Sequence, residues 1–436
     1  MLFLFYFVSM KKRIYIAIIV TLFFYVKIFA QADSEPIVKN AITANREKTY
    51  NNIVNNIITK NLTLPLTDST EESWQDAFYS LELINYRSVW VDERIKLAFA
   101  GVEKRSVGFQ RALLELAYSN YKGTFIKAAD TLMQKTTDPK IFAMAAEYYM
   151  MAGGKDMNAW NKVIREFSKR KDKDKNIPVY YGLLTGLITG YSEKKDLPGF
   201  INDLKKSIPG QTLLISFQRK NRNFPGIVII RDASGNFIKD ETGNIFSVPQ
   251  LARSMSNLPF YLTNGNTPQG IFRMDGFEVS KSMAIGPTTN IQLLMPYETS
   301  PGYFLKDPGI RDTVWTEDLY KKLLPERLKE YLPLYESFYA GKAGRTEIIA
   351  HGTTINTDYY RNQSFYPLTP TQGCLCTREI WSTVNGKRVE SDQQKLVDAL
   401  KVAGGANGYC MVIEIDDQQK PVSINEILPY LKNKTK

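Results

Sequence analysis

The chain has 436 residues, 44% hydrophobic and 23% charged, with a formal net charge of +11 at pH 7. That composition is ordinary for folded protein, and the length exceeds what one compact core usually organises, so two domains are expected. Only three cysteines are present, all in the last quarter, which argues against a disulfide-stapled scaffold; a single bridge from Cys410 to Cys374 or Cys376 stays open.

Residues 1–30 read as a signal peptide. Lys11, Lys12 and Arg13 form a basic start, Ile14 to Phe24 an apolar stretch, and Ile28-Phe29-Ala30 a cleavage site before Gln31. Met10 is an alternative start. The competing reading is an uncleaved anchor, because Tyr15 to Phe29 is interrupted only by Lys27. No cysteine follows the run, which argues against a lipoprotein, and export to the periplasm or cell envelope is expected. An exported basic chain can gather near anionic wall polymers or membranes. The densest basic cluster, Lys169 to Lys175, mixes signs, lacks paired aromatics and reads as a solvated loop, so no nucleic-acid partner is expected.

Residues 31–208 carry helical periodicity and are expected to form an all-α, repeat-like domain. Ser69-Thr70-Glu71-Glu72 reads as a capping box opening a helix through Leu83. Further helices are predicted over Asp92–Glu103, Gly108–Asn120, Thr124–Gln134, Pro139–Met151 and Asn158–Arg170. The default role of such a region is a scaffold or a surface for a protein partner.

Residues 209–436 change texture and predict a mainly β domain with a helical insertion, giving an α+β chain overall. Strands are expected at Gln211–Gln218, Ile227–Arg231, Leu258–Leu262, Gly270–Met274, Asn290–Met295, Glu347–Ala350 and Tyr409–Ile415. The clusters Asp232 to Asn236 and Asp240 to Asn244 predict successive hairpin turns. Glu317–Tyr339, broken by Pro325 and Pro333, reads as an insertion able to cover a cleft.

Two segments carry chemistry. Ile348-Ile349-Ala350-His351-Gly352-Thr353 delivers the chain's single histidine to a strand end. Thr371-Gln372-Gly373-Cys374-Leu375-Cys376-Thr377-Arg378 follows a proline-bounded turn and is expected to precede a helix. A thiol is mostly protonated at neutral pH, and an imidazole or helix N-terminus nearby activates it. The glycine before Cys374 is expected to leave room for a substrate carbonyl and to let backbone N–H groups face an oxyanion. Spacing alone does not separate this pair from coincidence. Cys374-Leu375-Cys376 could be half a metal site, but a closed zinc site wants four ligands and only Cys410 and His351 remain to complete it, so no metal is assigned. Tyr359, Tyr360 and Trp381 read as packing residues.

His351-Gly352-Thr353, then Thr371-Gln372-Gly373-Cys374, resembles the signature of L,D-transpeptidase (YkuD-like) catalytic domains. Upstream, Thr267-Pro268-Gln269-Gly270-Ile271-Phe272 resembles that family's Thr-Pro-x-Gly-x-Phe segment, in the same order. The resemblance spans about residues 210–420. Gln372 departs from it where a second histidine is usual, and Cys376 where an arginine or asparagine is common. The stretch from His351 to Thr371 is also slightly long.

The resemblance implies a cysteine acyltransferase acting on peptidoglycan stem peptides without metal or organic cofactor. Cys374 would attack an L–D peptide bond and form a thioester, while His351, titrating near neutrality, would move the proton. The Gly352 carbonyl would orient the imidazole, and the Gly373 and Cys374 N–H groups would hold the oxyanion. Thr371, Gln372 and Arg378 are the substrate-binding candidates; Thr371 as a helix cap and Arg378 as a surface residue are the bland readings. An amine on a second stem would complete a cross-link. Water in its place would make the enzyme an L,D-carboxypeptidase or cross-link hydrolase, and a decayed site would leave a wall-binding scaffold.

Overall fold

The computed structural model describes residues 35–153, 156–188, 201, 203, 206 and 208–431. The expected signal peptide at 1–30 lies outside them. No helix among the described residues is long and apolar enough to cross a membrane.

The fold is α+β. The N-terminal part is helical, and serines cap its helices. Ser88 accepts from Val91 N to open Val89–Phe99, and Ser106 accepts from Phe109 N to open Val107–Asn120. A short polar side chain is well placed for the unpaired N–H groups of a first turn. Ile126–Lys135, Pro139–Gly153 and Met157–Ser168 follow. The capping box lies two residues earlier than Ser69 and Glu72. Thr67 and Thr70 form it on a 3-10 turn, and the helix runs Glu71–Leu83.

Among the described residues ten strands follow: β1 (Leu213–Arg219), β2 (Gly226–Arg231), β3 (Val248–Gln250), β4 (Gly270–Glu278) and β5 (Asn290–Leu294). After the insertion come β6 (Ile349–His351), β7 (Leu375–Cys376), β8 (Glu379–Trp381), β9 (Arg388–Ser391) and β10 (Tyr409–Asp416). Eight of them make one sheet in the order β3-β2-β1-β10-β4-β5-β6-β7, and β8 pairs with β9. The pairs β1–β10 and β6–β7 are parallel and the rest antiparallel.

The sheet is buried on both faces along β1 and β2, whose residues are all buried, including Ser216, Gln218 and Arg219 of β1. Alternation divides their side chains. Leu213, Ile215, Phe217, Met411 and Ile413 join the cluster that holds Trp74, Phe78 and Phe142 of the helical part. Leu214, Val228, Phe272 and Val412 face the other way, onto Leu396, Val397 and Leu400 of the helix Asp392–Val402. One apolar core therefore runs from the helices into the sheet.

Three predicted elements differ. Leu258–Leu262 is a turn, with Leu262 N on the Pro259 carbonyl at 3.1 Å and Asn257 and Asn264 left-handed. No helix follows Cys374 directly; the chain enters β7 and β8 instead. The insertion packs against β4 rather than over the cysteine. Tyr320 Oη accepts from Ile271 N, and Glu336 accepts from Gln269 N and Nε2.

Candidate active site

The β6–β7 register places His351 beside Cys376 and Ala350 beside Leu375. Ala350 and Leu375 turn into the core, so His351 and Cys376 share the other face. Cys374, two residues before Cys376 along the chain, falls on that same face, diagonal to the histidine. Both His351 and Cys374 line a chamber of about 130 Å³, together with Tyr79 and Leu83 of the helical part. Cys374 also lines a groove of about 690 Å³, and Ser282, Ile285 and Gln372 border both spaces. Cys374 thus stands where chamber and groove meet. Among the described residues no hydrogen bond joins it to His351; its sulfur lies 3.7 Å from the Glu347 carbonyl.

The imidazole is buried, with Nδ1 2.5 Å from the Gly352 carbonyl. A carbonyl oxygen only accepts, so Nδ1 carries the proton and Nε2 is the basic nitrogen. Burial pushes the histidine down to about 4, with the Gly352 bond opposing. This corrects the expectation of a group titrating near neutrality. The neighbouring turn is braced by two groups that sequence reasoning passed over or read as packing. The Glu379 carboxyl, held by Thr288 and Ser391, lies where a Cβ on Gly352 would be, and Trp381 Nε1 donates to the Thr353 carbonyl at 2.9 Å. Burial raises Glu379 above the ordinary carboxylate range.

All three thiols are free, so the bridge to Cys410 is not formed. Cys374 is half-buried, whereas Cys376 and Cys410 are sealed. Burial raises Cys374 above its usual value, while the Ile349 N–H and the Arg345 guanidinium pull it back. Cys376, without such cationic help, is pushed up to about 12, and Cys410 goes higher still. The site at rest therefore pairs a neutral thiol with a neutral imidazole.

The loop that carries Cys374 is tied down by Arg345, which the sequence reading missed. This buried guanidinium donates to the carbonyls of Phe260, Asn266 at 2.5 Å and Gly265 at 2.6 Å, and reaches Gly373 O at 3.4 Å. Thr267 Oγ1 adds a bond to Gly373 O at 2.9 Å, which draws the Thr-Pro-x-Gly segment onto the loop. Gly373 has φ +110°, and a Cβ there would strike Arg345 Nη2 and the Gly265 carbonyl. The space beside it is filled by protein, not kept for a substrate carbonyl. The one available signal was an arginine directly after Gly344 and just ahead of the histidine strand.

The remaining candidates divide. Thr371 Oγ1 accepts from Gly373 N and donates to the Cys374 carbonyl, both at 3.0 Å. It caps its own turn rather than a helix, and it removes the Gly373 N–H from the expected oxyanion pair. Gln372 borders both spaces. Arg378 is turned away, paired with Glu390 at 2.8 Å and Asp392 at 3.5 Å along a separate cavity bordered by Phe246 and Pro367. It is a surface ion pair, not a substrate clamp at Cys374. Tyr360 is buried with its hydroxyl on the Leu83 carbonyl. No His, Cys, Asp and Glu grouping suited to a metal occurs among the described residues. No protein-family model, curated protein or solved structure matches the chain.

Proposed function

We propose that the chain is an exported L,D-transpeptidase-like cysteine acyltransferase that cross-links peptidoglycan stem peptides. The observation that carries this reading is the position of Cys374, the one half-buried thiol, at the junction of a chamber containing the only imidazole and a groove roomy enough for a peptide. Two spaces meeting at one sulfur suit a reaction in which a donor leaves and an acceptor enters.

His351 Nε2 takes the thiol proton as Cys374 Sγ bonds to the carbonyl carbon of the L-centre. The tetrahedral adduct collapses, the C–N bond breaks, and the amine of the terminal D-residue leaves with the proton from the imidazolium. In the second half, the acceptor amine attacks the thioester and gives a proton to Nε2. The C–S bond breaks, and the sulfur takes that proton back. A neutral imidazole is the competent base, and burial keeps it neutral well into the acid range. The Cys374 N–H is the backbone donor closest in sequence to the developing oxyanion that Thr371 does not already hold. The reaction requires no metal or organic cofactor.

Purified protein incubated with tetrapeptide muropeptides, its products separated by mass, tests the reading. Cross-linked dimers are expected. Tripeptide without dimer would mean that water resolves the thioester and the enzyme is a hydrolase. Neither product, together with failure of a carbapenem to add to Cys374 in intact mass spectrometry, would overturn the assignment and favour a wall-binding scaffold.

A further inference from the structure

The large groove draws its walls from both parts of the chain. Arg111 on Val107–Asn120 and Lys140 on Pro139–Gly153 come from the helical part, and Lys281 and Arg345 from the sheet part. Only two carboxylates, Glu278 and Glu347, line the same space. Arg345 is committed to backbone carbonyls, and Arg111 lies 3.6 Å from Glu115. The half-buried Lys140 ammonium has neither a hydrogen bond nor an ion pair among the described residues. Burial lowers its pKa and Arg111 lowers it further, Asp138 and Glu115 act in the opposite direction, and Arg345 adds a smaller lowering, so the two carboxylates offset the like charges only in part. Holding like charges together is unfavourable in itself and is relieved by an anion placed among them.

We infer that Arg111 and Lys140 form a carboxylate subsite, through which the helical part selects acyl-donor peptides bearing a free carboxylate. The inference rests on Cys374 being the acyl-transfer nucleophile, since the sulfur opens onto the same groove. Lysine supplies a mobile point charge and arginine a planar fork, a pairing suited to a carboxylate whose position varies between peptides. The helices then act in substrate choice as well as in support.

The test uses the full chain carrying Cys374→Ala, so that binding is read without turnover. A stem tetrapeptide and the same peptide with its carboxylates amidated are titrated by calorimetry. The free acid is expected to bind at least about tenfold more tightly, the scale of one charge-assisted hydrogen bond. Adding Arg111→Gln and Lys140→Gln should erase that difference while leaving the affinity for the amide unchanged. Lys140→Arg, which keeps the charge and guards against a folding artefact, should retain it. Equal affinity for acid and amide, binding of neither, or a preference that survives the double substitution overturns the subsite. If the preference appears but the unmodified chain makes no product, Arg111 and Lys140 bind the carboxylate but their role in selecting acyl donors falls with the acyl-transfer reading. Cross-links formed equally from acid and amide peptides leave the acyl-transfer reading standing and remove the subsite.

Discussion

The chamber and the groove share Cys374 but differ in every property that matters for chemistry. The chamber is small, with Tyr79, Leu83, Met255 and Ile355 beside His351, and burial there holds the imidazole neutral. The groove is about five times larger by volume and is lined by four cationic side chains. Burial in the first environment keeps the imidazole unprotonated at neutral pH and at the same time makes it a weaker base toward a thiol that burial raises. The cationic lining of the second suits an anionic ligand. Cys374 is the residue with a reactive side chain that stands at the junction of the two.

The comparison breaks most sharply at Cys374. Cys374→Ala is expected to lower muropeptide turnover by about a thousandfold or more, whereas Cys376→Ala and Cys410→Ala, both sealed from chamber and groove, should keep most activity and lose stability instead. Equal losses from all three in a product assay would mean that the sulfur at the junction is not special. Next in size is Gly373→Ala, which forces a side chain into Arg345 and the Gly265 carbonyl from a left-handed backbone; urea unfolding should register a loss of about 2–4 kcal/mol.

The neutrality of the chamber is tested by pH. Because His351 falls to about 4 from its ordinary 6.5, the acid limb of kcat/KM should lie near pH 4, and an acid limb near 6.5 would contradict a buried neutral base. The same shift stabilises the fold fully above pH 6.5. Up to roughly 3 kcal/mol is then lost as the pH falls from 6.5 toward 4, because the unfolded chain binds the proton first. Thermal melts of the parent and of His351→Asn across that range should show the parent losing more. The smallest effect is expected at Arg378→Ala. Its ion pairs face a different cavity, so turnover should change by less than about twofold, and a large rise in KM would return Arg378 to the substrate path.

Local features were legible wherever a few neighbouring residues suffice. The hairpin turns at Asp232 and Asp240 and the strands β1 and β2 follow from short-range patterning, whereas the helix capped by Ser88 opens at Val89, three residues ahead of the expected Asp92. Errors arose where a side chain had two uses. Phe260, Tyr261 and Leu262 look like a strand, but Pro259 and the left-handed Asn257 and Asn264 turn the chain there. Thr371 looks like a helix cap, but its hydroxyl is taken up by Gly373 and Cys374. Arg378 carries the right charge near the cysteine, and only the fold brings Glu390 and Asp392 against it.

By itself the amino-acid sequence determined which side chains are chemically able to react, namely one imidazole and three thiols, and which segments alternate or wind. It singled out Cys374 only through a resemblance, and it could not show which thiols are sealed, that the imidazole is held neutral, or that Arg111 and Lys140 reach the groove that Cys374 lines. Burial and local field are sums over groups hundreds of residues apart, so they exist only once the helices and the sheet have packed into one core.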